Sequence, residues 1–585
     1  MNLRTSIIRS ITGAVKAIER YPLVIMGAIL FTLVTMVRVQ MDLEGDSLIY
    51  LFDCLQMSLA SAISYSLIST AIIKSLKKNM LYVHISTVIV WVIFFVTLFA
   101  FSRPSTDAYT RLRVTDIATA RVFIWIGICF IGYIVFSKKG SFSRSLFVFL
   151  KSLAIAILYG AVLMSGTSGV AGAVQALLYN DMSEKVYMHL SAIVGFVSFT
   201  IFIGNFPSLD LEATSIERLE IEKKPRVIEL LFTYVLIPII LSLTLVLMLW
   251  VGKAVVLGDW PPFRTVMGIV TSYSIGGILL YLMVLESKSK LADTYKKLYP
   301  LLSLVILLFG LWAFIKHLTN EGFRGQEYFF TLVLSVSTIM MIVILVKKHT
   351  SQEVIPFLVM TAMVISVLPI MGHHSLPVKM EVNRLESILV EEGFLKENQL
   401  IPIDDVSEDI KVSITESIGY LAYSKDIDLP EWFDRDLRNH DTFKDTFGFE
   451  MTWPKREFGN STYVYLSLAS TAHSIKNYDY AIYLDYDKAS IKGDLGVYDF
   501  EWIYDEIPRL KIYLDDKLVL DKDMDEYFKI LGSNERYDRR GTLEEMSYQI
   551  KEENLEIMIV FQNVSLRMDE NKDYYAEIKV IYMSE

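Results

Sequence analysis

The sequence predicts an α-helical polytopic membrane bundle of about eleven spans, followed by an extracytoplasmic α+β domain whose C-terminal part is mainly antiparallel β. Three observations carry this. Up to Met371 the chain is a succession of apolar runs, most of them near the ~20 residues a helix needs to cross a ~30 Å hydrocarbon core. Beyond Met371 the composition is that of water-soluble protein, and from Thr462 apolar residues recur at every second position instead of every third or fourth. Charge divides at the same place: 31 Lys/Arg stand against 21 Asp/Glu up to Met371, and 25 against 45 after it, in a chain of net charge −10. A basic half followed by an acidic half points to two compartments.

The elements follow in order. Residues 1–21 hold Ile7, Ile8, Ile11, Val15 and Ile18 at helical spacing, with Arg4, Arg9 and Lys16 between them. That is a basic amphipathic helix suited to the cytoplasmic membrane surface. The next run is too long for a signal-peptide core and lacks a small-residue cleavage site. Residues 22–371 then supply the spans: Pro22–Val39, Leu48–Ile73, Leu81–Phe101, Ile117–Phe136, Leu146–Met164, Val186–Phe206, Val227–Val251, Val266–Leu285, Leu298–Ile315, Tyr328–Val346 and Val354–Met371. With the N-terminus inside, the cytoplasmic segments hold 20 Lys/Arg and the external loops 8. The positive-inside rule and the odd number of spans both put the tail outside, in the envelope beyond a bacterial cytoplasmic membrane. The tail has no cysteine, since Cys54 and Cys129 both lie in apolar runs, so it must hold itself together by an apolar core.

One run fits a single span badly. Leu146 to Leu178 is 33 residues, about 50 Å as a helix, and Gly166, Thr167, Ser168, Gly169 and Gly172 interrupt it. The expectation is a break: a span ending near Met164 and a short helix from Val170 to Leu178. In the tail, residues 372–460 read as a helical neck. An amphipathic helix runs from Val378 to Glu392, and a second begins at the cap Ser407, with Ile410, Ile414, Ile418 and Leu421 on one face. A third helix is expected after Pro430. Residues 461–585 read as the β domain: Leu510, Ile512 and Leu514 turn at Asp515-Asp516 into Leu518 and Leu520. Leu555, Ile557, Ile559 and Phe561 turn at Asp569–Lys572 into Ala576, Ile578 and Val580.

A Pro-containing last span, a polar turn, a helix with Arg384-Leu385, then Gly393-Phe394-Leu395 and a helix ending Gly419-Tyr420-Leu421 form a recognisable series. With Arg20-Tyr21-Pro22-Leu23 before the first span, it resembles the bacterial membrane family catalogued as domain of unknown function 4153, over roughly residues 20–429. The loop Asn320 to Tyr328 resembles that family's external Gly…Arg-Tyr segment, but Glu327 stands where a basic residue is expected. The resemblance implies a bacterial envelope protein and supplies no activity or catalytic residue.

Candidate binding residues are those that lipid would otherwise exclude. Asp53 is a carboxylate inside the second run, which either sits hydrated at the helix end or serves a site. Gln56 lies on the same helix among Ser58, Ser61, Ser64, Ser66 and Ser69, small residues that allow close packing or line a polar path. Gly166, Ser168, Gly169 and Gln175 belong to the expected break, where freed backbone groups persist only if they line a cavity or are buried in protein. His373-His374 and the series Asp521, Asp523, Asp525 fall short of metal sites. Adjacent histidines diverge, and a calcium loop needs Gly where Glu526 stands and Glu where Gly532 stands. No nucleophile elbow, phosphate loop or other cofactor motif occurs. The acidic tail lacks the basic footprint nucleic acid requires. Three functions follow as expectations: first a non-enzymatic anchor or sensor-like envelope component, whose acidic exported domain binds a protein, lipid or wall partner; second a secondary transporter or lipid flippase-like protein working at Gly166–Gly172; and last, for want of a catalytic constellation, a membrane-embedded enzyme.

Overall fold

The computed structural model describes residues 15, 17–41, 46–103, 114–137, 141–179, 181–206, 226–258, 263–403, 406–424, 427–453, 457–458, 461–468, 475–504, 507–532, 538–552, 555–567 and 573–584. Most of the N-terminal amphipathic segment, the acidic loop at 207–225 and the turn Asp569–Lys572 lie outside them. Two compact units emerge, one of residues 1–381 with 424–428, the other of 382–423 with 429–585. The first is a multi-pass membrane bundle and the second contains the β-rich region.

Ten helices among the described residues are long and apolar enough to cross a bilayer. They are α1 (Pro22–Gln40), α2 (Ser47–Ser75), α3 (Leu81–Phe101), α4 (Asp116–Phe136), α5 (Phe142–Leu177), α6 (Lys185–Gly204), α7 (Ile228–Leu257), α8 (Phe263–Val284), α9 (Lys290–Leu318) and α10 (Gly325–Glu353). Their starts follow local chemistry. Pro22 opens α1, where its missing N–H costs nothing. Thr115 and Ser141 accept from the backbone N–H groups of Ala118 and Arg144 at the starts of α4 and α5. Along the middle of α2, Ser58, Ser61, Ser64, Ser66 and Ser69 are buried, and hydroxyls turn back on their own helix: Ser61 Oγ donates to the Met57 carbonyl at 2.9 Å and Thr70 Oγ1 to that of Ser66 at 2.6 Å. Spent on their own backbone, these hydroxyls let neighbours approach, and α2 packs against α1, α3 and α4.

The expected break in α5 is absent. Its 36 residues form one helix through Gly166, Ser168, Gly169 and Gln175. Glycine in a helix costs only ~1 kcal/mol relative to alanine, whereas opening the backbone in hydrocarbon leaves polar groups with no partner. A break occurs instead after α10. The helix α11 (Ile355–Ile365) has 11 residues, about 16 Å of rise, too short to span alone. Turns follow from Ser366 to His374, where the His373 N–H donates to the Ser366 carbonyl at 2.8 Å and the Gly372 N–H to that of Leu368 at 2.8 Å. A Cβ on Gly372 would lie 2.4 Å from the Leu368 oxygen, so this tight turn requires glycine. These turns bring the chain to the end of α10 where Arg324 caps it. His373 lies 5.7 Å from Phe329 ring to ring, and Arg324 pairs with Glu381 at 3.2 Å. The next helix, α12 (Ser375–Glu391), contains the division between the units.

In the second unit, α13 (Glu408–Ala422) begins after Ser407 as its spacing predicts, and Ile414, Ile418 and Leu421 are fully buried. After Pro430 come a 3-10 turn, Arg435–Arg438, and the short α14 (His440–Phe447), capped by Asn439. The strands β1 (Leu395–Lys396) and β2 (Gln399–Leu400) form a small hairpin. The remaining strands are β3 (Glu457–Phe458), β4 (Ser461–Leu468), β5 (Tyr480–Ile482), β6 (Lys488–Lys492), β7 (Val497–Ile503), β8 (Arg509–Leu514), β9 (Lys517–Asp523), β10 (Asp538–Gly541), β11 (Ser547–Glu552), β12 (Leu555–Arg567) and β13 (Asp573–Ser584). One sheet runs β10-β4-β12-β13-β5, with β11 on β12 and β3 on β4; the other runs β6-β7-β8-β9. All pairs are antiparallel except β10 with β4. Asp515 and Asp516, at φ 46° and 65°, make the β8–β9 hairpin with both central residues in the left-handed region. Phe500, Trp502, Leu510 and Ile512 of the smaller sheet share one core with Ile557, Ile559 and Phe561 of the larger.

The strand alternation holds until β12 and β13 meet. Register shifts between Val560 and Asn563 insert an extra residue on each strand. A bulge reverses which face later residues occupy. Ala576 therefore lies in the shared core while Val580, expected on the same face, joins Met558, Val560 and Tyr582 on the other side of the sheet.

Candidate functional site

Within the membrane unit, four helices leave a space between them. The stripe Ala28, Phe31, Thr32 and Thr35 of α1 faces Ala60, Ile63 and Ser64 of α2, Ile126 and Phe130 of α4, and Ser191, Ala192, Gly195, Phe196 and Phe199 of α6. The cavity measures about 430 Å³, within the range of small-ligand pockets, and its lining is mostly apolar with a few hydroxyls. A Cβ added at Gly195 would meet nothing within 4 Å, so this glycine opens onto space. Toward one end stand aromatic rings: Phe130 lies 6.0 Å from Phe202, and Phe202 6.4 Å from Phe199.

The other end is polar. Arg38 is one turn beyond Thr35 on α1, and Asp53 and Gln56 are one to two turns beyond Ala60 on the antiparallel α2. Arg38 Nη1 lies 2.7 Å from Asp53 Oδ1 and donates to Gln56 Oε1 at 2.6 Å. Gln56 Nε2 donates to Thr35 Oγ1 at 2.8 Å, and Thr35 lines the cavity. The side chains of Arg38 and Asp53 keep only 29% and 13% of their accessible surface. A carboxylate here is retained because a guanidinium meets it, which relieves the burial cost of either charge alone. Further along, the end of α1 meets α6: Lys185 Nζ donates to the Gln40 carbonyl at 3.3 Å, and His189 Nε2 lies 3.4 Å from Gln40 Oε1. The site is thus amphipathic along its length, with rings at one end and charges at the other.

Of the candidates read from the sequence, Asp53 and Gln56 come together in this network. Gly166, Ser168 and Gly169 do not join it. A Cβ added at Gly166 or Gly169 would meet nothing within 4 Å, and neither residue lines the cavity. Gln175 accepts from the Tyr187 hydroxyl at 2.9 Å, a link between α5 and α6 outside the cavity lining. Sequence reasoning missed Arg38, Thr35 and the contribution of α6. A signal existed: Arg38 ends one span and Asp53 begins the next, so antiparallel neighbours bring opposite charges to one level.

Two other polar clusters already hold their own partners. Glu327 accepts from the Arg324 N–H at 3.1 Å and lies 3.3 Å from His317 Nε2, so the unexpected acid at this position serves as a helix cap. A polar pocket of about 550 Å³ at the start of α5 and α9 includes Arg144 paired with Glu286 at 3.0 Å and Lys296 paired with Asp293 at 2.8 Å. In the β-rich unit, Asp523 caps α15 (Asp525–Gly532), Asp525 pairs with Lys529, and Asp521 lies near Arg509 and Lys511. His373 Nδ1 sits 2.7 Å from the Ser366 carbonyl. Among the described residues no group of three or more His, Cys, Asp or Glu is disposed to hold a metal ion. No protein-family model, curated protein or solved structure matches the chain.

Proposed function

We propose that this chain is an envelope protein of the bacterial cytoplasmic membrane that takes the alkyl chain of an amphiphile into the cavity between α1, α2, α4 and α6. The observation that carries the reading is the pairing of an apolar space with a charged end: Thr35 lines that space and, through Gln56, leads to Arg38 and Asp53. Such a site suits a lipid-handling protein, in the transporter or flippase-like class, more than a passive anchor. In this reading the short α11 and its turns make an eleventh crossing, which leaves the second unit outside. The contacts of His373 and Glu381 near the Arg324 end of α10 support that crossing, and the loop charges support its direction. Membership of the family catalogued as domain of unknown function 4153 belongs to the same proposal. A second role is favoured by the tail's charge, 25 Lys/Arg against 45 Asp/Glu after Met371: the exported unit binds a protein, lipid or wall partner while the bundle anchors it.

The test is saturable binding. Gly195→Leu places a side chain into open space without a clash at its Cβ, so the variant should insert and melt normally yet lose stabilisation by long-chain amphiphiles. Thermal unfolding of purified full-length protein, titrated with alkyl probes, reads this directly. Equal stabilisation of wild type and variant would mean that lipid merely coats the bundle, and the reading would fall.

A further inference from the structure

Resting on the amphiphile reading above, we infer that the ligand carries an anionic headgroup, a carboxylate or a phosphate, and that Arg38 passes from Asp53 to that group when the cavity fills. The stripe of α1 that lines the cavity continues directly to Arg38, so an alkyl chain lying along Ala28 to Thr35 brings its head to the guanidinium. Among the described residues, the contacts of Arg38 to Asp53 and to Gln56 both use Nη1. This leaves Nε and Nη2, the fork that matches a carboxylate or phosphate with two parallel hydrogen bonds. Lys185 and His189 dock on Gln40, beyond Arg38 at the end of the same helix, so basic side chains stand at this end of α1. Asp53 is then a built-in competitor. It keeps the arginine paired while the site is empty, and it must yield or share when an anion arrives. A space of about 430 Å³ suits a single alkyl chain.

The competition gives the two charges opposite signatures. Full-length protein in neutral-detergent micelles would be titrated with hexadecanoate, hexadecyl phosphate, hexadecanol and hexadecyltrimethylammonium, with unfolding midpoint and displacement of a fluorescent fatty acid as readouts. The two anions should bind about tenfold or more tighter than the alcohol, the effect of one charge-assisted hydrogen-bonded pair. The ammonium should bind no better than the alcohol. Preference between hexadecanoate and hexadecyl phosphate tells whether the source is a free fatty acid or a phosphate-bearing lipid. Arg38→Gln should reduce the anions to the affinity of the alcohol, and Asp53→Asn should raise the affinity for anions. Should Arg38→Gln not accumulate in the membrane, Asp53→Asn still decides, because a gain for the anions with none for the alcohol puts the anionic head beside this carboxylate's partner, Arg38. Equal binding of anion and alcohol by wild type, or weaker anion binding by Asp53→Asn, would overturn the inference and leave the amphiphile reading standing. Absence of saturable binding by any probe would overturn both.

Discussion

The membrane unit and the β-rich unit bury opposite things. In the bundle, helices close their own backbone hydrogen bonds, so apolar side chains can remain on the outside. Val88, Ile89, Val92 and Val96 of α3 are all exposed. In the β-rich unit the sheets must cover their apolar faces, and Ile557, Ile559 and Phe561 have no exposed surface at all. Charges divide the same way. The β-rich unit sets them in open pairs such as Lys488–Glu501 at 2.7 Å and Lys551–Glu556 at 2.8 Å, each worth little because water screens them. The bundle buries hydroxyls by returning them to their own helix. Hydroxyls also link helices, as Thr244 does to Tyr273 and Tyr187 to Gln175; the network of Arg38, Asp53, Gln56 and Thr35 is set apart by an opposite-charge pair beside a cavity. A charged pair between helices that adjoins open space, more than polarity as such, marks the candidate site in this bundle.

The largest effect that could break this contrast is Phe561→Ala. Phe561 is packed against Trp502, Tyr527 and Phe528, and truncating such a ring costs about 3–5 kcal/mol. The β-rich unit should lose its cooperative transition while the bundle remains inserted with its helical signal intact, as followed by circular dichroism and limited proteolysis. Loss of both together would show one folding unit instead of two.

A smaller effect sharpens the contrast within the bundle. A Cβ at Gly277 would come 2.1 Å from the Tyr299 hydroxyl, where α8 and α9 pack closely. Gly277→Ala should therefore destabilise the bundle by about 1–3 kcal/mol through overpacking. Gly166→Ala meets nothing within 4 Å and should change stability by less than about 1 kcal/mol, in the stabilising direction. Denaturation in mixed micelles compares the two, and a large loss from Gly166→Ala would restore the idea of a working break in α5.

The smallest effect concerns pH and the β-rich unit. Burial, with the charges of Asp487 and Tyr575 beside it, pushes the Tyr504 hydroxyl up to about 12 from an ordinary 10. The hydrogen bond to Glu501, together with its charge, raises Lys488 above its ordinary 10.5. Both groups hold their proton more firmly when folded, so the stability they contribute is complete below pH 10 and fades as pH rises through the raised values. The unit's melting midpoint should fall above pH 10, and Lys488→Met should make the fall slightly shallower. A midpoint that rose over this interval would contradict both assignments.

Much of the architecture was legible because it is local. A helix in lipid needs only an apolar run of sufficient length, and α3 occupies Leu81–Phe101, the same bounds as the run. A half-buried strand needs only alternation, and Leu510 and Ile512 of β8 are inward as the pattern requires. Where the reading failed, a local signal was outvoted by neighbours. Glycines suggested a break at Gly166, but hydrocarbon penalises an open backbone, and α5 stays whole. No comparable cluster of glycines warned of the break at Ser366–His374, where Gly372 alone permits a turn closed by backbone hydrogen bonds. In β12 and β13 the bulge shifted the phase that alternation had set.

The sequence by itself determined that this is a multi-pass membrane protein joined to an acidic, β-rich unit, because transfer free energies and strand periodicity add up along the chain. The tertiary structure alone decided which helix faces meet. That choice put Arg38 against Asp53, tied Gln56 to Thr35, and left space between α1, α2, α4 and α6 where Gly195 has no side chain to fill it. Packing depends on shape across many elements at once, and no sum over neighbouring residues contains it.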